Sequence, residues 1–327
     1  MSQLNLYPLK FTPILKDKIW GGTKLSEILD KQTGDSKICG ESWEISGVPN
    51  NISEVSEGDL KGKLLTELID EYKGDLIGEH IYQKFGNKFP LLIKFIDAND
   101  DLSIQVHPDD TLAQKRHNSF GKTEMWYVVN AEEGATLISG FNRKTDKDEY
   151  VKIFEDGRVN EILNKEVANN DDVFFLPAGR VHTIGKGLLI AEIQQTSDIT
   201  YRIYDFDRVD ADGNKRELHV EEALGAIDFD FYDDYKTKYD SSATESDLED
   251  CQYFATKRLI VEVKESRDYS EVDSCVILMC LEGSGTLEFK EGSIDYKLGD
   301  SILVPNAISK VDIKATVKTK LLEVTIP

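Results

Sequence analysis

The sequence predicts a mostly β protein: two β-barrels in tandem, with a few helices at the periphery. Three observations carry that expectation. Short runs of alternating apolar and polar residues recur along the chain, broken by Gly and Asp turns. A weak internal repeat links Asp172–Pro177 (DVFFLP) to Asp300–Pro305 (DSILVP), 128 residues apart as numbered, each after a glycine-containing segment, Gly134–Leu137 (GATL) or Ser284–Leu287 (SGTL). An acidic, Ser-rich stretch poor in aliphatics, Phe229–Gln252, lies between the two copies and reads as an exposed connection. Duplicated barrels explain the repeat; chance likeness of β-turn sequences is the competing explanation.

In order, strands are expected at Phe89–Ile96, Leu102–His107, Met125–Asn130, Ala135–Phe141, Asp172–Leu176 and Leu188–Gln194. They continue at Tyr253–Val263, Cys275–Leu281, Gly285–Lys290, Ser301–Val304 and Lys318–Thr325. Helices are expected at Leu64–Tyr72, Glu149–Val167 (with apolar Val151, Phe154, Ile162 and Leu163, interrupted by Gly157) and Glu217–Ile227. The units divide as 1–230 and 231–327.

Composition narrows the class. The 327 residues are 40% hydrophobic and 31% charged, enough apolar content for a core and against global disorder. The apolar run Cys275–Leu281 falls far short of the ~20 residues a membrane helix needs, so no membrane partner is expected. The N-terminus has no secretory apolar block, which suggests a cytoplasmic protein. The formal charge of −22 repels polyanions, so nucleic acid is an unpromising partner. A small phosphate remains compatible if cations are held locally, because salt screens beyond roughly 8 Å. Cys39, Cys251, Cys275 and Cys280 form no CxxC pair and read as free thiols in a reducing compartment.

A polar strand face then stands out. In Asp101–Asp110 (DLSIQVHPDD), Leu102, Ile104 and Val106 share one face, while Ser103, Gln105 and His107 share the other. Pro108 ends the strand. Glu124 opens an apolar strand in GKTEMWYVV, and His182 follows the Pro177-Ala-Gly179 turn. Each alone is an ordinary exposed polar residue, strand-end carboxylate or turn histidine. Placed in one barrel, two imidazoles, a carboxylate and the Gln105 amide make a divalent-metal set suited to Zn, Fe, Mn or Ni, without the Cys ligands of a structural zinc site.

Gln105-x-His107, Glu124 and Pro177-x-Gly179-x-x-His182 resemble the cupin motif pair, and the two units would then be cupin-like β-barrels, or jelly rolls. More narrowly, LSIQVHPDD, GKTEMWYV and PAGRVHTIGKG, with Ile19–Gly22 (IWGG), Gly40–Ser46 (GESWEIS) and Ser197–Arg202 (SDITYR), resemble the type I mannose-6-phosphate isomerases in their shorter bacterial form. The likeness covers Leu9 to Val220; beyond Asp228 only the β pattern matches. It implies an aldose–ketose isomerase using one Zn²⁺ per chain, or another divalent metal, on mannose 6-phosphate and fructose 6-phosphate. The implied metal ligands are Gln105, His107, Glu124 and His182. The implied active-site residues are Arg202, Lys122 and Glu192, with Ser103, Lys122 and Arg202 against the substrate.

The chemistry matches these residue types. Moving a carbonyl from C1 to C2 builds charge on oxygen, which a Lewis acid stabilises, and requires a base beside the reacting carbons. Ile190, Glu192 and Gln194 share a strand face, so Glu192 meets the cavity if Ala191 and Ile193 pack outward; a carboxylate that only orients a neighbour is the alternative. Lys122 lies on the face of Glu124 and suits polarising a sugar oxygen, or it is a solvated turn lysine. Arg202 suits phosphate or oxyanion charge, or pairs structurally with Asp198 or Asp205. An iron-dependent cupin oxygenase and a non-catalytic sugar-binding cupin remain as other functions. In the second unit Lys310 takes the place of His182 and no histidine follows His219, so that unit is expected to be a degenerate cupin without metal. His80, His117 and His219 are expected at the surface. Monomer and dimer both stay open.

Overall fold

The computed structural model describes residues 6–209 and 213–327. It contains three antiparallel sheets. A seven-stranded sheet runs in the order Val173–Leu176, Glu124–Ala131, Leu188–Gln195, Leu91–Ala98, Cys39–Val48, Ile14–Gly22, with Asn51–Ile52 beside Cys39–Val48. A five-stranded sheet faces it, in the order Tyr201–Tyr204, Ile104–Val106, His182–Ile184, Thr136–Phe141, Leu163–Val167. The third sheet has eight strands and centres on two long ones, Val276–Phe289 and Lys310–Thr325. Leu9–Lys10 joins this last sheet by pairing with Ser301–Val304, so the N-terminal end of the chain is tied to the C-terminal unit.

Burial explains the near-continuous apolar strands. Leu91–Ala98 and Leu188–Gln195 are buried at every position. One face of each (Leu91, Ile93, Phe95; Leu189, Ala191, Ile193) joins a core shared with Ile277, Met279, Leu322 and Val324 of the eight-stranded sheet. The other face (Ile96, Ala98; Leu188, Ile190) packs inside the first barrel with Trp20, Leu102, Trp126, Leu137 and Ile184. A strand buried on both faces loses the period-two alternation that marks a half-buried one. The second barrel has its own interior, including Leu259, Tyr269, Leu287 and Ile313.

Several expected elements differ. The helix expected over Glu149–Val167 ends at Glu155; Gly157 takes φ +71°, and Leu163–Val167 is a strand paired with Thr136–Phe141. The helix over Glu217–Ile227 shrinks to Val220–Leu224, and Leu65–Tyr72 is helical as expected. The connection Phe229–Gln252 is not a free linker. Tyr235 is buried with its hydroxyl on the Phe141 carbonyl, and Glu245–Asp250 is an edge strand paired with Ala255–Val261. Asp110–His117 is a helix that the sequence hid, because Ala113 is its one buried residue. The Asp109 carboxylate caps it, accepting the Leu112 amide at 2.7 Å. Both repeat copies form strands, Val173–Leu176 and Ser301–Val304. No helix among the described residues is long and apolar enough to cross a membrane.

Candidate metal centre and active site

The polar face of the Ile104–Val106 strand points into the first barrel. Ile104 and Val106 pack outward with Tyr150, Tyr201 and Ile203, which turns Gln105 inward. Tyr201 and Ile203 pack there too, so Arg202, opposite Gln105 in register, also faces the cavity. On the facing sheet, Ala191 and Ile193 pack outward and Glu192 lines the cavity.

His107, Glu124 and His182 converge. All three are buried, and one ligating atom from each lies within 4.8 Å of the others. His107 Nε2 is 3.4 Å from Glu124 Oε1, and His182 Nε2 is 3.7 Å from Glu124 Oε2. Ligands ~2.1 Å from a tetrahedral zinc lie about 3.4 Å from one another, so the spacing fits such an ion. Each Nδ1 faces a backbone carbonyl at 2.8 Å, Ile199 for His107 and Arg180 for His182. Each carbonyl accepts the Nδ1–H and so points the Nε2 lone pair into the cluster, the arrangement that metal-binding histidines need. Both Glu124 oxygens are buried without a hydrogen-bond donor, although Lys122 Nζ sits 2.8 Å from Oε1 as an ion pair. Lys122 compensates Oε1, while the buried Oε2 has no donor, a position that a bound cation would complete. Gln105 Nε2 lies 3.3 Å from His182 Nε2, so its amide joins the cluster.

Electrostatics agree with a cation-ready site. Burial holds the His182 imidazole down to about 4, against the favourable Arg180 carbonyl, with Lys122 lowering it further. His107 is held well below its usual range by burial, then by Lys122 and His182. Both lowered values favour neutral rings at neutral pH, the form in which imidazole can bind a metal.

Beside the cluster is a cavity of about 150 Å³. Its walls carry five cationic side chains (Lys18, Lys94, Lys122, Arg202, Arg216) against three carboxylates (Glu41, Glu192, Asp198), a local excess of positive charge in a chain of −22. Ser103 and Gln105 also line it. Lys122 Nζ is 3.2 Å from His107 Nε2 as well as paired with Glu124, so it is no solvated turn lysine. Arg202 donates through Nη1 to the Glu217 carbonyl at 2.8 Å, while its buried Nε has no partner. Burial and then Arg216 lower its proton affinity. Asp205 instead engages Arg216, through Nε at 2.7 Å, and Arg208.

Two further cavity residues, Lys94 and Glu41, lie outside the expected site residues. Glu192 Oε2 accepts Trp126 Nε1 at 2.8 Å, and Lys94 Nζ is 3.0 Å from Oε1. Burial works against the Lys94 charge, yet Glu192, Glu41 and Glu124 outweigh it and raise its proton affinity. Glu41 is likewise opposed by burial but held below its usual range by Lys94, Lys18 and Trp43 Nε1, which donates at 2.7 Å. The signal for Lys94 is a lysine inside the otherwise apolar run Leu91–Ile96, where an unpaired charge is untenable. Two of the remaining histidines are exposed, as expected: His80 on Asp273 and His117 on the Tyr201 hydroxyl. His219 is half-buried and accepts the Arg202 amide. Among the described residues the second barrel has no comparable cluster, and Lys310 there is exposed and paired with Asp268.

Known proteins resemble this chain along nearly all its length. Residues 8–138 match a model of the phosphomannose isomerase type I catalytic domain, and residues 244–322 match one of the mannose-6-phosphate isomerase cupin domain. Mannose-6-phosphate isomerase ManA of Bacillus subtilis is 35% identical over 93% of this chain and 94% of its own length. The mannose-6-phosphate isomerase of Streptococcus mutans is 42% identical over 67% of each chain. The crystal structure of the mannose 6-phosphate isomerase from Bacillus subtilis superposes with a TM-score of 0.87 at 32% identity, covering 98% of this chain and 99% of that one. Motif spacing, fold and site geometry thus agree, and the chain belongs to the type I phosphomannose isomerase family.

Proposed function

We propose that this protein interconverts mannose 6-phosphate and fructose 6-phosphate, as a zinc-dependent aldose–ketose isomerase working by proton transfer through an enediolate. The observation that carries the reading is the convergence of His107 Nε2, His182 Nε2 and the buried Glu124 carboxylate, whose Oε2 has no donor, beside a cavity with excess positive charge. Gln105 completes the proposed ligand set, one ion per chain. A divalent cation bound there supplies Lewis-acid stabilisation of the charge that develops on the sugar oxygens.

The chain's own residues do the rest. Glu192, oriented by Trp126 and Lys94, carries the proton between C1 and C2. Lys122, two residues before Glu124, polarises a substrate oxygen. Arg202 offers its free Nε and a permanent charge to phosphate or oxyanion. Ser103 adds a hydroxyl at the cavity wall. Residues 1–230 form the catalytic unit and 231–327 the degenerate one, in a cytoplasmic enzyme.

The test is a coupled assay on mannose 6-phosphate, before chelation, after chelation and after zinc is restored. Turnover that is lost and regained with zinc is expected. Turnover indifferent to chelation removes the metal from the mechanism. Oxygen-dependent consumption of substrate by an iron-loaded protein would favour the oxygenase reading.

A further inference from the structure

The unit without metal ligands reaches the catalytic segment by a traceable route. Tyr253 lies in the turn between Glu245–Asp250 and Ala255–Val261, and its hydroxyl donates to Asp110 Oδ2 at 2.8 Å. Asp110 Oδ1 accepts Gln195 Nε2 at 2.9 Å and the Gly121 amide at 2.8 Å. Gln195 is buried, and its Oε1 accepts the Thr123 backbone N–H at 2.9 Å, while its backbone N–H donates to the Thr123 carbonyl at 3.1 Å. Thr123 sits between Lys122 and Glu124. Its hydroxyl accepts the Ala178 amide at 3.2 Å, in the turn that leads to His182, and the Gly179 amide donates to the His107 carbonyl at 2.9 Å.

Every role in this chain is forced. Gln195 meets a carboxylate at one end and an N–H at the other, so its amide has one orientation. Asp110 gives one oxygen to the first unit and the other to the second. Charge-assisted bonds of this kind are short and directional. They fix the height and rotation of a three-residue segment that carries both the cluster carboxylate and the lysine paired with it.

We propose that the C-terminal unit acts in catalysis through Tyr253, a positioning residue that sets the Lys122–Glu124 segment by way of Asp110, Gln195 and Thr123. This rests on the roles proposed above for Lys122 and Glu124. The second barrel has no ligands of its own; its contribution to the site is one hydroxyl at the solvent-exposed end of a hydrogen-bonded chain that becomes buried at Gln195 and Thr123. Displacing a reacting group by a fraction of an ångström is enough to slow turnover without loss of fold.

The test is Tyr253→Phe in the full-length, zinc-loaded protein. One hydrogen bond of ordinary net strength corresponds to about a three- to tenfold effect, so kcat should fall by that factor with KM for mannose 6-phosphate within twofold. Zinc release to excess chelator should quicken by a similar factor. Gln195→Met cuts the main route nearer the site, so adding Tyr253→Phe to it should change either rate by clearly less than in the wild-type protein, the remainder passing through the Asp110–Gly121 bond. Asp110→Asn weakens the same link and should move both readouts the same way, which covers a poorly folding Tyr253 variant. A lower Tm with kcat per zinc-loaded molecule and zinc release both unchanged would mean a structural tether and overturn the proposal. So would a Tyr253→Phe effect that persists undiminished in the Gln195→Met protein. A wild-type protein inert on mannose 6-phosphate would instead sink the proposed function, and zinc release would still test the chain.

Discussion

Replacing Lys94 by methionine keeps the apolar stem and removes one buried cation. Lys94 Nζ stands 3.0 Å from Glu192 Oε1, with both side chains almost wholly enclosed, and its charge also helps hold the partly buried Glu41 carboxyl low. Taking one partner from a buried pair costs about 3–5 kcal/mol, because the carboxylate left behind has neither water nor counter-charge. The folded variant lowers that cost by binding a proton that its unfolded chain does not hold. Folded protein with the higher proton count loses stability as pH rises, by up to about 1.4 kcal/mol per pH unit for one proton. The penalty of Lys94→Met should therefore be smallest near pH 5 and grow towards pH 8. Urea unfolding of both proteins in excess chelator, at several pH values, reads this without interference from metal. The zinc-loaded variant should also lose at least about tenfold in kcat, since Glu192 keeps only Trp126 to orient it. A penalty below ~1 kcal/mol and flat with pH would refute the picture of a charge-compensated Glu41–Lys94–Glu192 row.

The other predictions follow from the same geometry. In the metal-free protein His182 is buried neutral, so its contribution to stability is complete above the unfolded value near 6.5 and is lost as pH falls towards about 4, by up to roughly 3 kcal/mol; unfolding titrations on apoprotein should show it. His107→Ala and His182→Ala should lose zinc and turnover together, and full zinc occupancy in either would break the ligand assignment. Arg202→Ala should lower kcat far more than it weakens zinc binding, and near-normal turnover would remove Arg202 from the active site. Trp126→Phe leaves one Glu192 oxygen without its donor at 2.8 Å, and should cost about 1–3 kcal/mol of stability along with kcat.

The His107–Glu124–His182 cluster was legible because its residues sit on motifs with fixed local spacing. Gln105 and His107 alternate with apolar neighbours, and His182 follows a proline–glycine turn. Glu192 was legible by parity, since Ala191 and Ile193 had to pack somewhere. Lys94 was not, because a lysine in an apolar run signals a partner without naming it, and Glu41 and Glu192 lie on the two neighbouring strands. The stretch from Glu149 to Val167 misled because its apolar residues suit a helix and a half-buried strand equally, and only the positive φ at Gly157 separates the two. The edge strand Glu245–Asp250 has one buried residue, Leu248, and therefore almost no hydrophobic pattern to betray it. The Tyr253–Asp110 contact joins residues 143 positions apart and exists only through the packing of one unit on the other.

The most direct measurement is anomalous X-ray scattering at the zinc edge from crystals of the zinc-loaded protein. One strong peak per chain is expected, about 2.0–2.2 Å from His107 Nε2, His182 Nε2 and a Glu124 oxygen, with the Gln105 amide oxygen turned towards it. A peak elsewhere, or none between those three side chains, would contradict the proposed ligand set.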